Sequence, residues 1–86
     1  MKVLIPSPLH AYTGGASSAD VPGETLGAVL LALDGRFPGL RFRIVDEHDR
    51  VRRHVHFFVG DTLVKQLDHP VPQDAEVMIV CALSGG

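Results

Sequence analysis

This 86-residue sequence predicts a two-layer α+β fold, in which one principal helix covers one face of a β-sheet. Three observations carry that expectation. Leu26, Val29, Leu30 and Leu33 recur at helical spacing. Val51, Arg53, Val55, Phe57 and Val59 share one strand parity, with Arg52, His54, His56 and Phe58 on the other. An unbroken apolar run, Val77-Met78-Ile79-Val80-Cys81-Ala82-Leu83, comes last, just before Ser84-Gly85-Gly86.

In chain order, Lys2 to Pro6 reads as a short β-branched first strand, with Pro6 and Pro8 at its end where proline is tolerated. His10 to Ser18 is a loop by composition. Ala19-Asp20-Val21 starts a second strand that returns beside the first, and Pro22-Gly23 makes a turn. Thr25 caps a helix from Thr25 to Leu33, with Ala28 and Leu31 extending its apolar face. Asp34-Gly35 ends it, with Gly35 as C-cap. Phe37-Pro38-Gly39-Leu40 is a turn that buries Phe37 and Leu40. The chain is then polar and irregular as far as Val45, and Asp46 to Asp49 turns it. Arg50 to Val59 is a half-solvated antiparallel strand. Gly60-Asp61 turns into a short edge piece at Thr62-Leu63-Val64. Leu67 to Asp74 is a loop with two prolines, and Glu76 to Ala82 is the final strand. A β-grasp sheet places that last strand centrally and lets the tail project. The expected core is Leu4, Leu26, Val29, Leu30, Leu33, Phe57, Val59, Val77 and Ile79.

The composition bounds the function. Residues 1–86 fit one domain with one modest core. Apolar residues make up 45% and charged residues 21%, the balance of a globular chain. Six arginines are spread along a chain of net charge −2, which argues against non-specific nucleic-acid binding. No apolar stretch is long enough to span a membrane, and the N-terminus lacks a signal-peptide pattern. A single cysteine cannot staple the fold and points to a reducing compartment, the cytoplasm.

Four constellations could carry chemistry. The first is the tail. Gly85 and Gly86 lack Cβ atoms, so Leu83-Ser84-Gly85-Gly86 can thread where a side chain would clash and offer the Gly86 carboxylate to a partner. Residues 84–86 are expected to be flexible. The same ending fits an idle terminus. No phosphate-binding glycine motif is present, so any ATP chemistry belongs to a partner. The second is Thr13-Gly14-Gly15, which could form an anion nest but reads better as a loop needing positive φ. The third is His54 and His56 on one strand face with Arg52. A metal site there needs a third ligand from His10, His48, His69, Cys81 or an acid, and a polar surface role is favoured. The fourth is Cys81, which shares parity with Val77 and Ile79 and reads as a packing residue. No bound cofactor, metal or catalytic residue is expected.

The ordered set of segments resembles the small ubiquitin-like sulfur carriers of thiamin, molybdopterin and cysteine synthesis. Leu4-Ile5-Pro6-Ser7-Pro8-Leu9 followed by Tyr12-Thr13-Gly14-Gly15 looks like the opening of the cysteine-synthesis branch. Gly23 to Leu30 resembles the family's helix entry, and Phe37-Pro38-Gly39-Leu40 its helix exit. Arg52 to Val59 resembles its central strand, and Ala82-Leu83-Ser84-Gly85-Gly86 its terminus. The resemblance implies a carrier, not an enzyme. A ubiquitin-activating-like adenylyltransferase would adenylate Gly86 with ATP, and a sulfur donor system would convert it to a thiocarboxylate. The acceptor would be cysteine-synthase-like or the large subunit of a molybdopterin synthase. In two alternatives, the chain is the small subunit of that synthase, or a protein modifier joined through Gly86 to lysine.

Overall fold

The computed structural model describes residues 1–82. Five strands form one mixed sheet: β1 (Lys2–Leu4), β2 (Ser18–Asp20), β3 (Val55–Val59), β4 (Thr62–Val64) and β5 (Val77–Cys81). Their spatial order is β2-β1-β5-β3-β4. β1 and β5 run parallel, and every other pair is antiparallel. The last strand is thus central, flanked on both sides, as the β-grasp expectation requires.

Helix α1 (Leu26–Arg36) buries Leu26, Val29, Leu30 and Leu33 against the sheet face carrying Val3, Val55, Phe57, Val77 and Ile79. Its first N–H groups are all used. Leu26 N donates to His69 O at 3.0 Å and Gly27 N to Leu67 O at 2.7 Å, while Ala28 N donates to the Thr25 hydroxyl at 3.2 Å. The proline-containing loop after β4 is therefore tied to the helix start. Gly23 is needed there for space: it passes so close to α1 that a Cβ would stand 2.7 Å from Val29 N.

The expected end of α1 is corrected. The helix runs through Asp34 and Gly35, and Phe37 N closes it on Leu33 O at 2.9 Å. The Asp34 side chain instead serves the next element. Its Oδ1 accepts from Gly39 N at 3.2 Å and Arg41 N at 3.0 Å. Those donors open a short helix, α2 (Leu40–Ile44), in place of the expected irregular stretch. Leu40 and Ile44, one turn apart, are its buried residues.

The strand expected from Arg50 is also corrected, because pairing begins only at Val55. Arg52 is diverted to the C-terminal carbonyls of α2. Its backbone N donates to Ile44 O at 3.0 Å and its Nε to Phe42 O at 2.8 Å. Val51 makes only a single bridge to Val45. Ser7–Tyr12 form a 3₁₀ helix that buries Leu9, so the expected loop from His10 begins inside a helical turn.

The expected core is right except at β1. Val3 and Ile5 are buried there, and Leu4 faces the opposite side of the sheet. Leu31, expected on the apolar face of α1, is 61% exposed. Among the described residues, no helix is long and apolar enough to cross a membrane.

Candidate functional site

The tail emerges from the best-supported strand of the sheet. β5 pairs with β3 over five positions, Val55↔Cys81 through Val59↔Val77, and with β1 at Val3↔Val77 and Leu4↔Met78. One more bond, Ala82 N to His54 O at 2.7 Å, holds the chain beyond Cys81. Leu83, Ser84, Gly85 and Gly86, the residues expected to thread and carry the reactive carboxylate, lie outside the described residues.

The helices cover one face of the sheet and leave the other open. On the open face Leu4 aligns with Met78, Met78 with Phe58, and Phe58 with Leu63, one apolar row across four strands. Val80 and His56 form the next pair toward the tail. Met78 is 37% exposed and Leu63 47%. Such an open apolar row is a candidate interaction surface. Beside the row's β1 and β5 members, an apolar hollow of about 440 Å³ is lined by Leu4, Pro6, Pro8, Met78, Val80 and Cys81.

Sequence reasoning missed this row, because it assigned Leu4 to the core and read the even parity of β3 as mostly polar. The signal was β5 itself. Val77 to Cys81 is apolar on both parities, yet one layer of helices can cover only one of its faces.

The remaining candidates separate cleanly. Thr13 is buried, with its hydroxyl donating to Ala16 O at 2.9 Å and lying 3.3 Å from His10 O. Gly14 and Gly15 have φ of 65° and 91°, and Gly15 N is spent on His10 O at 2.9 Å. This is a structural turn, as expected. His10 Nε2 hydrogen-bonds the Ile5 carbonyl at 2.9 Å and so fastens the same turn. His54 and His56 are half-buried, two apart on β3 and its approach. Among the described residues, no group of three or more His, Cys, Asp or Glu is placed to hold a metal ion. Cys81 is partly buried against the core, and burial pushes its thiol pKa up. A raised pKa lowers the thiolate fraction, the opposite of what a sulfur nucleophile needs.

No family model matches the chain. The sulfur carrier protein CysO of Mycobacterium tuberculosis strain H37Rv is 33% identical over 89 residues, covering 98% of this chain and 96% of that protein. The crystal structure of M. tuberculosis CysO has a TM-score of 0.89 at 31% identity, over 95% of this chain and 98% of that one. The crystal structure of the Amycolatopsis orientalis BexX/CysO complex also contains a similar chain, with TM-score 0.91 and 28% identity over 99% and 98% of the two chains.

Proposed function

The chain belongs to the CysO family of β-grasp sulfur carriers, which partner enzymes act upon, and from that premise we propose that Gly86 is the sulfur-bearing position. In this mechanism the Gly86 carboxylate attacks the α-phosphorus of ATP on an activating adenylyltransferase. Pyrophosphate leaves, and an acyl adenylate remains. Hydrosulfide supplied by the donor system then attacks the acyl carbon, AMP leaves, and loss of the S–H proton leaves the terminal thiocarboxylate. A second enzyme removes that sulfur. The likeness to CysO favours a cysteine-synthase-like acceptor working on an activated serine over the molybdopterin synthase large subunit.

The central placement of β5 is the observation that supports this most. β5 is bonded to β1 and β3, and Ala82 N is bonded to His54 O, so the partner meets a body that is fixed as far as residue 82. Four residues beyond Ala82 span at most about 14 Å when extended, so a partner's catalytic centre must come close to the end of β5. The apolar row through Met78 and Phe58 and the hollow beside Cys81 supply the surface for that approach. Leu83 and Ser84 bridge body and active site, Gly85 passes the constriction without a side chain, and Gly86 supplies the unhindered carboxylate.

Deleting Gly86, or replacing Gly85 with tryptophan, should leave thermal unfolding unchanged and abolish ATP–pyrophosphate exchange by the adenylyltransferase. Normal exchange by a folded Gly86 deletion refutes the mechanism. The intact mass of the product then separates outcomes: exchange of one carboxylate oxygen for sulfur marks a carrier, and a lysine-linked adduct marks a modifier.

A further inference from the structure

A second hollow, of about 920 Å³, lies along β3, between α1, the turn after α2 and the segment leaving β4. Arg41, Arg50, Arg52, Arg53 and Lys65 line it, five of the chain's eight Lys and Arg residues. Of ten acidic residues only Asp49 and Asp68 do so. A chain of net charge −2 thus gathers most of its positive charge in one concavity, where low-dielectric walls focus the potential.

Part of that charge has an internal use. Arg41 pairs with Asp49 at 3.0 Å, and Arg52 lies over the Phe42 ring at 4.7 Å while bonding the Phe42 carbonyl. Arg50, Arg53 and Lys65 are exposed and, among the described residues, form no ion pair. Arg41 Nε is buried without a hydrogen-bond partner among the described residues, a donor whose desolvation is not offset. Neither core packing nor capping calls for Arg50, Arg53 and Lys65 to stand together.

The walls also carry apolar surface. Leu31 is 61% exposed, and Val51 and Leu67 are half-buried beside it. Charged side chains around an apolar patch suit a protein segment better than a simple anion. Single-stranded nucleic acid calls for aromatic stacking platforms, and no Phe or Tyr lines the hollow. Val55 also lines it and pairs with Cys81 on the neighbouring strand, so one wall of the hollow adjoins the strand that carries the tail.

We propose that this hollow docks an acidic protein segment with one aliphatic side chain, presented by the adenylyltransferase that takes the tail. Carboxylates pair with Arg50, Arg53 and Lys65, and the aliphatic group covers Leu31. The preference for such a segment stands on charge and shape; the identity of the enzyme rests on the carrier function proposed above.

The test has two arms. In the first, the intact ¹⁵N-labelled chain is titrated with a capped pentapeptide of four glutamates around a central leucine. Shifts should concentrate in residues 50–53 and 65–68, and affinity should fall as salt rises. The combined Arg50→Glu, Arg53→Glu and Lys65→Glu variant, checked for folding by thermal melting, should bind at least about tenfold more weakly. If reversal unfolds the chain, the corresponding alanine substitutions serve. Equal affinity in a folded variant, shifts confined to other surfaces, or tighter binding of oligothymidylate each overturns the proposal. In the second arm, the KM of the adenylyltransferase for the folded variant should rise at least about tenfold with kcat little changed. An unchanged KM overturns the proposal. If the wild-type chain is never adenylated, the carrier function itself falls, and the peptide titration alone decides the hollow.

Discussion

Leu30 and Leu31 are neighbours on α1 with opposite environments: 1% and 61% exposed. Replacing each in turn by alanine tests how the helix sits on the sheet. Both changes make the same small gain in helix propensity, so the difference between the two variants isolates burial. Leu30→Ala forfeits the transfer free energy of a fully buried leucine, about 1.5–3 kcal/mol. The packed surroundings relax only partly around the space left, which brings the expected cost to about 2–5 kcal/mol. Chains of this size are stable by about 4–13 kcal/mol, so most of that range leaves a folded majority that can be measured. The melting temperature should fall by about 8 °C or more. Leu31→Ala should stay within about 0.5 kcal/mol of wild type. Urea denaturation followed by far-ultraviolet circular dichroism gives both values, with equal m-values confirming that only stability changed. Equal costs at the two positions, or a Leu30→Ala cost below about 0.5 kcal/mol, would refute the orientation of α1.

Thr25→Ala removes the side-chain cap on Ala28 N and should cost about 0.5–2 kcal/mol in the same assay, while Thr25→Ser should restore most of it. The Met1 ammonium donates to Asp20 at 2.9 Å, and this hydrogen bond, reinforced by its charge, holds the Asp20 carboxyl below the usual carboxylate range. A depressed folded-state pKa stabilises the chain above the unfolded value of about 3.9, and that contribution is lost as pH falls through the folded value. Melting temperatures measured from pH 6 to pH 2 should therefore show a shallower acid decline in Asp20→Asn than in wild type. Burial raises the Cys81 thiol, so alkylation by iodoacetamide at pH 8 should be slower than for an unfolded control peptide; a faster rate would contradict its packing role. Cys81→Ser should cost some stability yet leave thiocarboxylate formation nearly intact, a result read by intact mass.

The dual character of β5 ties fold to function. As the central strand it carries Val77 and Ile79 into the core, while Met78 and Val80 face outward. One strand therefore anchors the tail's root and presents the surface beside it. β3 does the same from the neighbouring position, with Val55, Phe57 and Val59 inward and His56 and Phe58 outward. A partner that covers the outer residues is brought to the tail by the same contacts.

Much of this was legible in the sequence, because the decisive signals are local. The spacing of Leu26, Val29, Leu30 and Leu33 specifies a helix and its buried stripe wherever the helix packs. Thr25 announces the helix start because a cap acts on residues three positions away. The alternation through Val55, Phe57 and Val59 specifies which side of β3 is inward. The order of segments, with the Gly-Gly ending, pointed to the carrier family.

The tertiary structure decided what depends on distant partners. Val3, Leu4 and Ile5 are all apolar, so periodicity could not choose the inward side of β1; the register Val3↔Val77 did. Asp34-Gly35 carries a local stop signal, but the Asp34 carboxylate is drawn to N–H groups of Gly39 and Arg41, and the helix runs past it. The alternation of Val51, Arg53 and Val55 suggests strand as far back as residue 50, yet Arg52 is claimed by carbonyls of α2. The open apolar row and the basic hollow exist only once separate strands and loops are brought side by side. A side chain's periodicity is set by its own segment; its neighbour is set by the whole chain.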